Sequence, residues 1–393
     1  MSERFSIRRL RLRHYRSIAA CDVTLGPLTL LVGPNGAGKS NFVDSLRFVS
    51  QALNENLDNA LRERGGAAET RRRSTGHPTH FGVRLNFDTD SLGGEYAFQI
   101  AAVAGGDFRV SHEALKIEST EFGLPAAYFH VRDGSVIESS EQILPRVSED
   151  RLFLTAMSGL ERFRPVFDGL ASMNVHSLNP DSMRRPQKPD PGELLARDGS
   201  NVASVLENVR RTRPEVLARI EAYLRSIVPG VESVSRKGLG AWETLEFKQR
   251  VAGSSSPWTF QASSMSDGTL RALGVLVALF AVDEPFSSPV GIEEPETALH
   301  PAASGLLLEA LVDASQSRQV LATSHSPDLL DSPTITPDMV LAVRADSGNS
   351  IIGRLDRASS DALRESLFTA GELLRVDQLA PHPEGQPTLE LFS

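Results

Sequence analysis

The chain has 393 residues, of which 40% are apolar and 23% charged, the balance of a globular protein with room for two or three ordinary domains or one large α/β module with an insertion. Its longest apolar run, Ala272 to Val282, is far short of the ~20 residues that cross a bilayer, and the polar start Met1–Arg9 has no secretory core, which argues against a membrane or exported protein and for the cytoplasm. A single cysteine, Cys21, excludes an intrachain disulfide and a Cys-based metal site, and a net charge of −9 means that any contact with nucleic acid must rest on a local basic patch.

Residues 4–32 read as strands. Phe5–Leu12 and Val23–Leu25 alternate apolar with polar, whereas Leu28–Val32 is a continuous apolar run of the kind buried in a parallel sheet. A glycine-rich turn follows, and then Phe42, Val43, Leu46, Val49 and Leu53 recur at helical spacing. From Phe81 to Ile117 the period returns to two, with Val83, Leu85 and Phe87 and then Tyr96, Phe98 and Ile100, which predicts an antiparallel flap. Residues 141–228 read as mostly helical, broken by the proline-rich stretch Pro180–Pro191, with short strands expected at Val231–Val234, Trp242–Phe247 and Trp258–Phe260. The last third alternates: helix Gly268–Ala281, strand Pro289–Ile292, helix Ala302–Ser315, strand Gln319–Thr323 and strand Met339–Val343. That alternation predicts a parallel sheet with helices on its faces. The expected division is 1–120 (first lobe and flap), 121–255 (mainly helical insert) and 256–393 (second lobe). No internal repeat and no sustained heptads are present.

Gly33-Pro34-Asn35-Gly36-Ala37-Gly38-Lys39-Ser40 matches the phosphate-binding pattern G-x-x-x-x-G-K-[ST] in full, between a buried strand and an amphipathic helix. Glycines let successive N–H groups point at phosphate oxygens, and the helix beginning there adds its positive end. Only five of the 41 basic residues are lysines, and one of them is Lys39, which would reach the β- and γ-phosphates of ATP while Ser40 ligates Mg²⁺. Asn41 completes the candidate nucleotide-binding run.

An acidic partner is needed at a neighbouring strand end, and two segments compete. Asp283 ends the longer apolar run, but that run reads as a helix. Glu293 and Glu294 follow the shorter Val290–Ile292, and a helix, a strand and then Ser324-His325 come after them, an order that sets Glu294 and His325 on adjacent strand ends. Glu293 is therefore assigned to Mg²⁺ through water, and Glu294 to the general base. Ser266-Asp267-Gly268-Thr269 opens another helix, with N–H groups free for an anion; an ordinary N-cap would look the same.

Taken together, the phosphate loop, Ser266–Thr269, Ile292–Glu296 with Leu299-His300-Pro301, and Thr323–Pro327 resemble the ABC-type ATPases of the RecF/SMC/OLD group, in particular the compact AAA-family branch related to ATPase subunits of bacterial anti-phage systems. The resemblance covers roughly 1–55 and 255–345. It implies an α/β ABC-type (P-loop NTPase) head with an antiparallel β flap and an inserted helical subdomain. It also implies a homodimer that closes head to tail on two ATPs, with Ser266 and Gly268 meeting the γ-phosphate of the opposite protomer and His325 sensing it. Glu293 stands where Asp is usual. Arg16 lies where related heads place a basic residue near the nucleotide, although a solvated arginine accounts for it equally well. The Q-loop is open between Gln99 and Gln51. Arg71–Arg73 reads as a solvated loop, and His77, His80, His112, His130 and His176 show no metal spacing. Only some 60 residues follow the last strand, too few for the acidic Toprim domain of OLD-type nucleases, so the expected protein is a cytoplasmic ATPase switch controlling an effector, a nuclease or a toxin, or acting on DNA. A RecF-like DNA-repair ATPase is the alternative.

Overall fold

The computed structural model describes residues 3–74, 78–103, 105, 107–119, 126–281 and 286–382. Strands β1 (Glu3–Arg4), β2 (Ser6–Tyr15), β3 (Ile18–Thr24) and β4 (Leu28–Val32) lead into α1 (Lys39–Asn54), α2 (Leu57–Arg62) and α3 (Ala67–Thr70). Five strands follow: β5 (His80–Asp88), β6 (Leu92–Ala102), β7 (Phe108–Ser119), β8 (Ala127–Arg132) and β9 (Ser135–Ser139). The middle holds α4 (Phe153–Met157), α5 (Arg164–Ala171), β10 (Asn174–His176), α6 (Pro180–Arg184), α7 (Val202–Thr212), α8 (Pro214–Ile227), β11 (Val231–Leu239), β12 (Trp242–Gln249) and β13 (Trp258–Gln261). The last third runs α9 (Asp267–Phe280), β14 (Phe286–Ser287), β15 (Val290–Glu293), α10 (Ser304–Ser315), β16 (Val320–Ser324), α11 (Pro327–Leu330), β17 (Val340–Asp346), β18 (Asn349–Arg354), α12 (Arg357–Arg364) and α13 (Ala370–Arg375).

A six-stranded sheet, in the order β10-β15-β16-β4-β17-β18, divides the molecule; every neighbouring pair is parallel except β17 with β18. All five residues of β4 and of β16 are buried, because both faces of the sheet are covered, and an apolar run without alternation is what two covered faces demand. Alternate residues feed two cores. Leu31, Leu321, Leu341 and Val343 join α1 and the strands of a seven-stranded antiparallel sheet, β3-β2-β5-β6-β7-β8-β9, while Leu30, Val32, Ala322 and Ala342 join α7–α10. The apolar stripe expected on α1 is the buried one, and Phe48 and Ala52 widen it. Helix α9 is buried almost all round, which explains why its sequence is apolar rather than amphipathic.

Two parts of the middle region differ from expectation. Strands β8 and β9 carry the antiparallel sheet on to Ser139, so a boundary at residue 120 falls inside one sheet. And within the stretch read as mostly helical, Asn174–His176 forms the edge strand β10, parallel to β15 with His176 opposite Ile292. This strand places the entrance to the helical insert at the end of the central sheet.

Candidate functional site

The phosphate loop lies between β4 and α1. Gly33 cannot be larger, since a Cβ there would come within 2.0 Å of the Val343 carbonyl oxygen on β17. Gly36 and Gly38 take φ of +77° and +105°, the left-handed region in which glycine costs least, and a Cβ on Gly38 would run into the Ser350 hydroxyl at 2.0 Å. Pro34, Asn35 and Gly36 are exposed, so the loop opens outward. Within α1, Phe42 is the first residue to bond back along the chain, to Gly38, so the N–H groups of Lys39, Ser40 and Asn41 have no helical partner. Lys39 is buried and its Nζ donates to the carbonyls of Gly33 (2.8 Å) and Pro34 (3.0 Å), folded back over the loop. Burial lowers its pKa, opposed by the charges of Glu294 and Glu296. Ser40 is exposed on the first turn.

Beside the loop, the ends of β15 and β16 bring the acidic residues into place. Glu294 sits just past β15 with φ +46°, and its N–H donates to both the carbonyl (3.2 Å) and the hydroxyl (3.0 Å) of Thr323 on β16. Its carboxylate is 3.2 Å from Nδ1 of His325, which follows β16 directly. The expected pairing of Glu294 and His325 on adjacent strand ends is what the register creates. Glu293 turns its carboxylate to Arg197 in the insert, at 3.2 Å. Asp283, the competing acid, lies outside the described residues, but α9 does end at Phe280, so the apolar run before Asp283 is helical through that point.

Ser266 caps α9 by accepting from the Thr269 N–H at 3.2 Å, and Ser266 and Asp267 are exposed. Gly268 packs against the loop after Glu294: a Cβ there would lie 2.5 Å from the Ala298 carbonyl oxygen. Arg16, at φ +49°, reaches the start of α1, where it pairs with Asp44 at 3.1 Å and lies 3.5 Å from the Asn41 side chain. The Asn41 amide itself donates to Ser17 at 2.6 Å, so its side chain joins the loop region to the β2–β3 turn.

Other expectations meet a different arrangement. Gln51 lies 12 residues beyond Lys39, about 18 Å along α1, and binds Glu63 and Arg64; Gln99 belongs to the antiparallel sheet. Neither is at the strand ends, where the crossing segment Ser177-Leu178-Asn179 lies instead. Arg71–Arg73 is not simply solvated, because Arg72 donates to Asn349 (2.9 Å) and to the Ser17 carbonyl, and Arg71 to the Pro78 carbonyl. His77 lies outside the described residues, and among those described no cluster of three or more His, Cys, Asp or Glu could hold a metal.

Three residues given no role of their own from the sequence also belong here. Arg271, on α9, donates to the main-chain carbonyls of Leu178 (2.7 Å), Glu293 (3.2 Å) and Glu294 (3.0 Å), tying the insert, the strand end and the Ser266 helix together. Glu296 is buried, one oxygen accepting from Ser324 at 2.7 Å and the other without a hydrogen-bond partner among the described residues, and burial raises its pKa. Arg197 is the third.

A hydroxyl on the first helical turn and a carboxylate at the end of β15, one strand beyond β16, are hard oxygen donors suited to Mg²⁺, which takes few protein ligands when phosphate oxygens and water complete its shell. Sheet order, loop and acidic strand end together define an ABC-type ATPase head. Residues 28–331 match the family described as "AAA domain, putative AbiEii toxin, Type IV TA system", and the chain belongs to that family and is an ATPase of AAA/ABC type. It is 24% identical over 349 residues to the OLD nuclease of Thermus scotoductus, an alignment covering 83% of this chain and 60% of that relative's length. Among solved structures it is similar to an SMC head bound to the C-terminal winged-helix domain of ScpA (TM-score 0.56, 13% identity, 90% of this chain and 99% of that one). A second SMC head with an extended coiled coil, bound to the C-terminal domain of ScpA and derived from Pyrococcus furiosus, gives TM-score 0.55 at 13% identity, covering 92% of this chain and 99% of that one. At that identity these structures show the fold alone. No helix among the described residues is long and apolar enough to cross a membrane.

Proposed function

We propose that the chain is a switch that closes head to tail into a homodimer around two ATPs and, through closure, controls a nuclease or toxin effector in anti-phage defence. The observation that carries it is a split arrangement: an outward-opening phosphate loop backed by Glu293 and Glu294, and a separate helix start where Ser266 and Asp267 are exposed and Gly268 is half-buried. The effector class is drawn from the family's description as a toxin system and from the nuclease relative.

In this reading the N–H groups of the loop and Lys39 grip the β- and γ-phosphates, with Lys39 leaving its two carbonyl partners to do so. Ser40 and, through water, Glu293 would hold Mg²⁺, which would supply neutralisation of phosphate charge. Glu294, aligned by its N–H bonds to Thr323 and by His325, orients the attacking water and takes its proton. Ser266 and Gly268 of a second copy close the site from the far side.

The test is complementation. Ser266→Arg and Lys39→Ala proteins should each be inactive alone and regain turnover when mixed, because one composite site is then intact. Mixtures that stay inactive refute a shared site. A second reading, a DNA-binding repair ATPase, would rest on Arg9, Arg11, Arg13, Arg84, Lys116 and Arg132 on one face of the seven-stranded sheet, although Asp22, Glu95 and Glu118 on the same face and Asp133 already pair with all of these but Arg13. ATP-dependent, salt-sensitive DNA binding would select it.

A further inference from the structure

Arg197 stands apart from the expected nucleotide machinery, yet it touches that machinery directly. It comes from the insert, in the segment Ala196–Asn201 just before α7, and its guanidinium lies 3.2 Å from the Glu293 carboxylate. The segment is built to hold that arginine in place. The carbonyls of Arg197 and Asp198 accept from the N–H groups of Ser177 (2.9 Å) and Asn179 (3.0 Å), so the segment runs alongside the crossing out of β10. Within it, the Asn201 side chain accepts from the Ala196 N–H at 2.7 Å and the Asp198 side chain from the Ser200 N–H at 3.0 Å. Gly199, at φ +77°, packs on Met183 and Leu178 of the insert. The Arg197 side chain is half exposed, whereas that of Glu293 is only 17% exposed. The arginine can therefore turn into solvent more readily than the carboxylate can.

We propose that Arg197 is a positioning residue that reports occupancy of the metal–nucleotide site to the helical insert. The Glu293 carboxylate has two cationic suitors, the guanidinium and a divalent cation with its water shell, and it does not serve both at full strength. A cation taken up at Glu293 weakens this side-chain tie between the Ala196–Asn201 segment and the strand end, and the segment loosens. The converse holds by linkage: with Arg197 engaged, the cation binds less tightly. The proposal rests on the reading of Glu293 as the metal carboxylate.

Binding of a fluorescent ATP analogue is titrated with Mg²⁺ for the wild type, Arg197→Ala and Arg197→Lys, and amide hydrogen exchange is followed at residues 195–201 with and without Mg-ATP. Arg197→Ala should reach half-saturation at roughly two- to fivefold lower Mg²⁺, the range expected for losing one partly exposed ion pair, with Arg197→Lys between. Exchange at 195–201 should quicken on Mg-ATP addition in the wild type and be fast from the start in Arg197→Ala. In a Glu293→Gln background, adding Arg197→Ala should change neither readout. An unchanged Mg²⁺ midpoint together with unchanged exchange in Arg197→Ala overturns the proposal while leaving the ATP site standing. If Glu293→Gln reaches half-saturation at the same Mg²⁺ as the wild type, the premise that Glu293 is the metal carboxylate is gone and the proposal with it.

Discussion

Arg271 offers the sharpest test of how the site is assembled, because a single guanidinium ties three main-chain segments together. Replacing it with Ala removes the donors to the carbonyls of Leu178 at 2.7 Å, Glu294 at 3.0 Å and Glu293 at 3.2 Å. Hydrogen bonds from a charged donor contribute about 1.5–3 kcal/mol each, but they are not additive here, since all three share one charge. The side chain is also only part-buried, so water replaces some of what is lost, and burial itself lowers the Arg271 pKa, a cost that the variant no longer carries. The net destabilisation should be about 2–4 kcal/mol, read as a lowered urea midpoint by far-UV circular dichroism. Turnover should fall further than stability explains, by about 10- to 100-fold in kcat, because the Glu294 carbonyl is one of the three and a displacement of about 1 Å at the proposed base is enough. Arg271→Lys keeps the charge but reaches one carbonyl at a time, so it should recover stability better than kcat. An Arg271→Ala protein with a wild-type urea midpoint and turnover within twofold would mean that the three segments hold their places without it.

Lys39→Ala should abolish ATP turnover and weaken nucleotide binding at least tenfold by fluorescence titration, as expected when the phosphate-facing charge is lost. Glu294→Gln should bind ATP with near-wild-type affinity, lose at least about 100-fold in kcat, and elute as a dimer with ATP on size-exclusion chromatography. Gly268→Val should block turnover because its side chain would collide with the Ala298 carbonyl, already 2.5 Å from a bare Cβ. Glu113 gives a pH prediction. Burial raises its pKa to about 7 although it accepts from the Tyr96 hydroxyl and from the N–H groups of Phe153 and Leu154. A raised carboxyl binds its proton more tightly folded than unfolded, so its contribution is fully present below the ordinary value of 4.5 and is lost as pH rises through about 7, on the order of 3 kcal/mol in all. Urea midpoints at pH 5.5 and 8 should differ accordingly, and Glu113→Gln should flatten the slope; equal slopes in the two proteins would remove Glu113 as the cause.

What could be read from the sequence depended on how far apart the interacting residues lie. The strand, loop and helix from Leu28 to Asn54 are contiguous, and each carries its own signal: an unbroken apolar run, glycines where the backbone turns, and a stripe at helical spacing. Glu294 and His325 were also legible, because strand, helix and strand of ordinary length between them leave few ways to arrange parallel neighbours. Strand β10 was not. Three residues show no period, and its identity comes only from lying beside β15, far along the chain. Arg197 and Arg271 were invisible for a related reason. Their partners are a carboxylate and main-chain carbonyls 22 to 96 residues away, and main-chain carbonyls have no sequence signature at all.

The same distance argument bears on function. The residues that recognise a phosphate can be local, since loop and helix start are one segment. The residues that tell the rest of the molecule about the phosphate cannot be, because they must join segments that the chain keeps apart. Leu178 and Arg197 belong to the insert, Glu293 and Glu294 to the central sheet, and Arg271 to the helix that Ser266 begins. Two arginines therefore connect the insert to the strand end beside the phosphate loop, one through carbonyls it grips from a part-buried position and one through a carboxylate it can release. If the insert is the part that answers to ATP, damage to Arg271 should disturb the chemistry itself, whereas damage to Arg197 should chiefly disturb what the insert learns of it. Comparing kcat with exchange at residues 195–201 in the two variants separates these effects, and an Arg197→Ala protein with normal metal dependence and an insert that still responds to Mg-ATP would show that the message does not travel through Arg197.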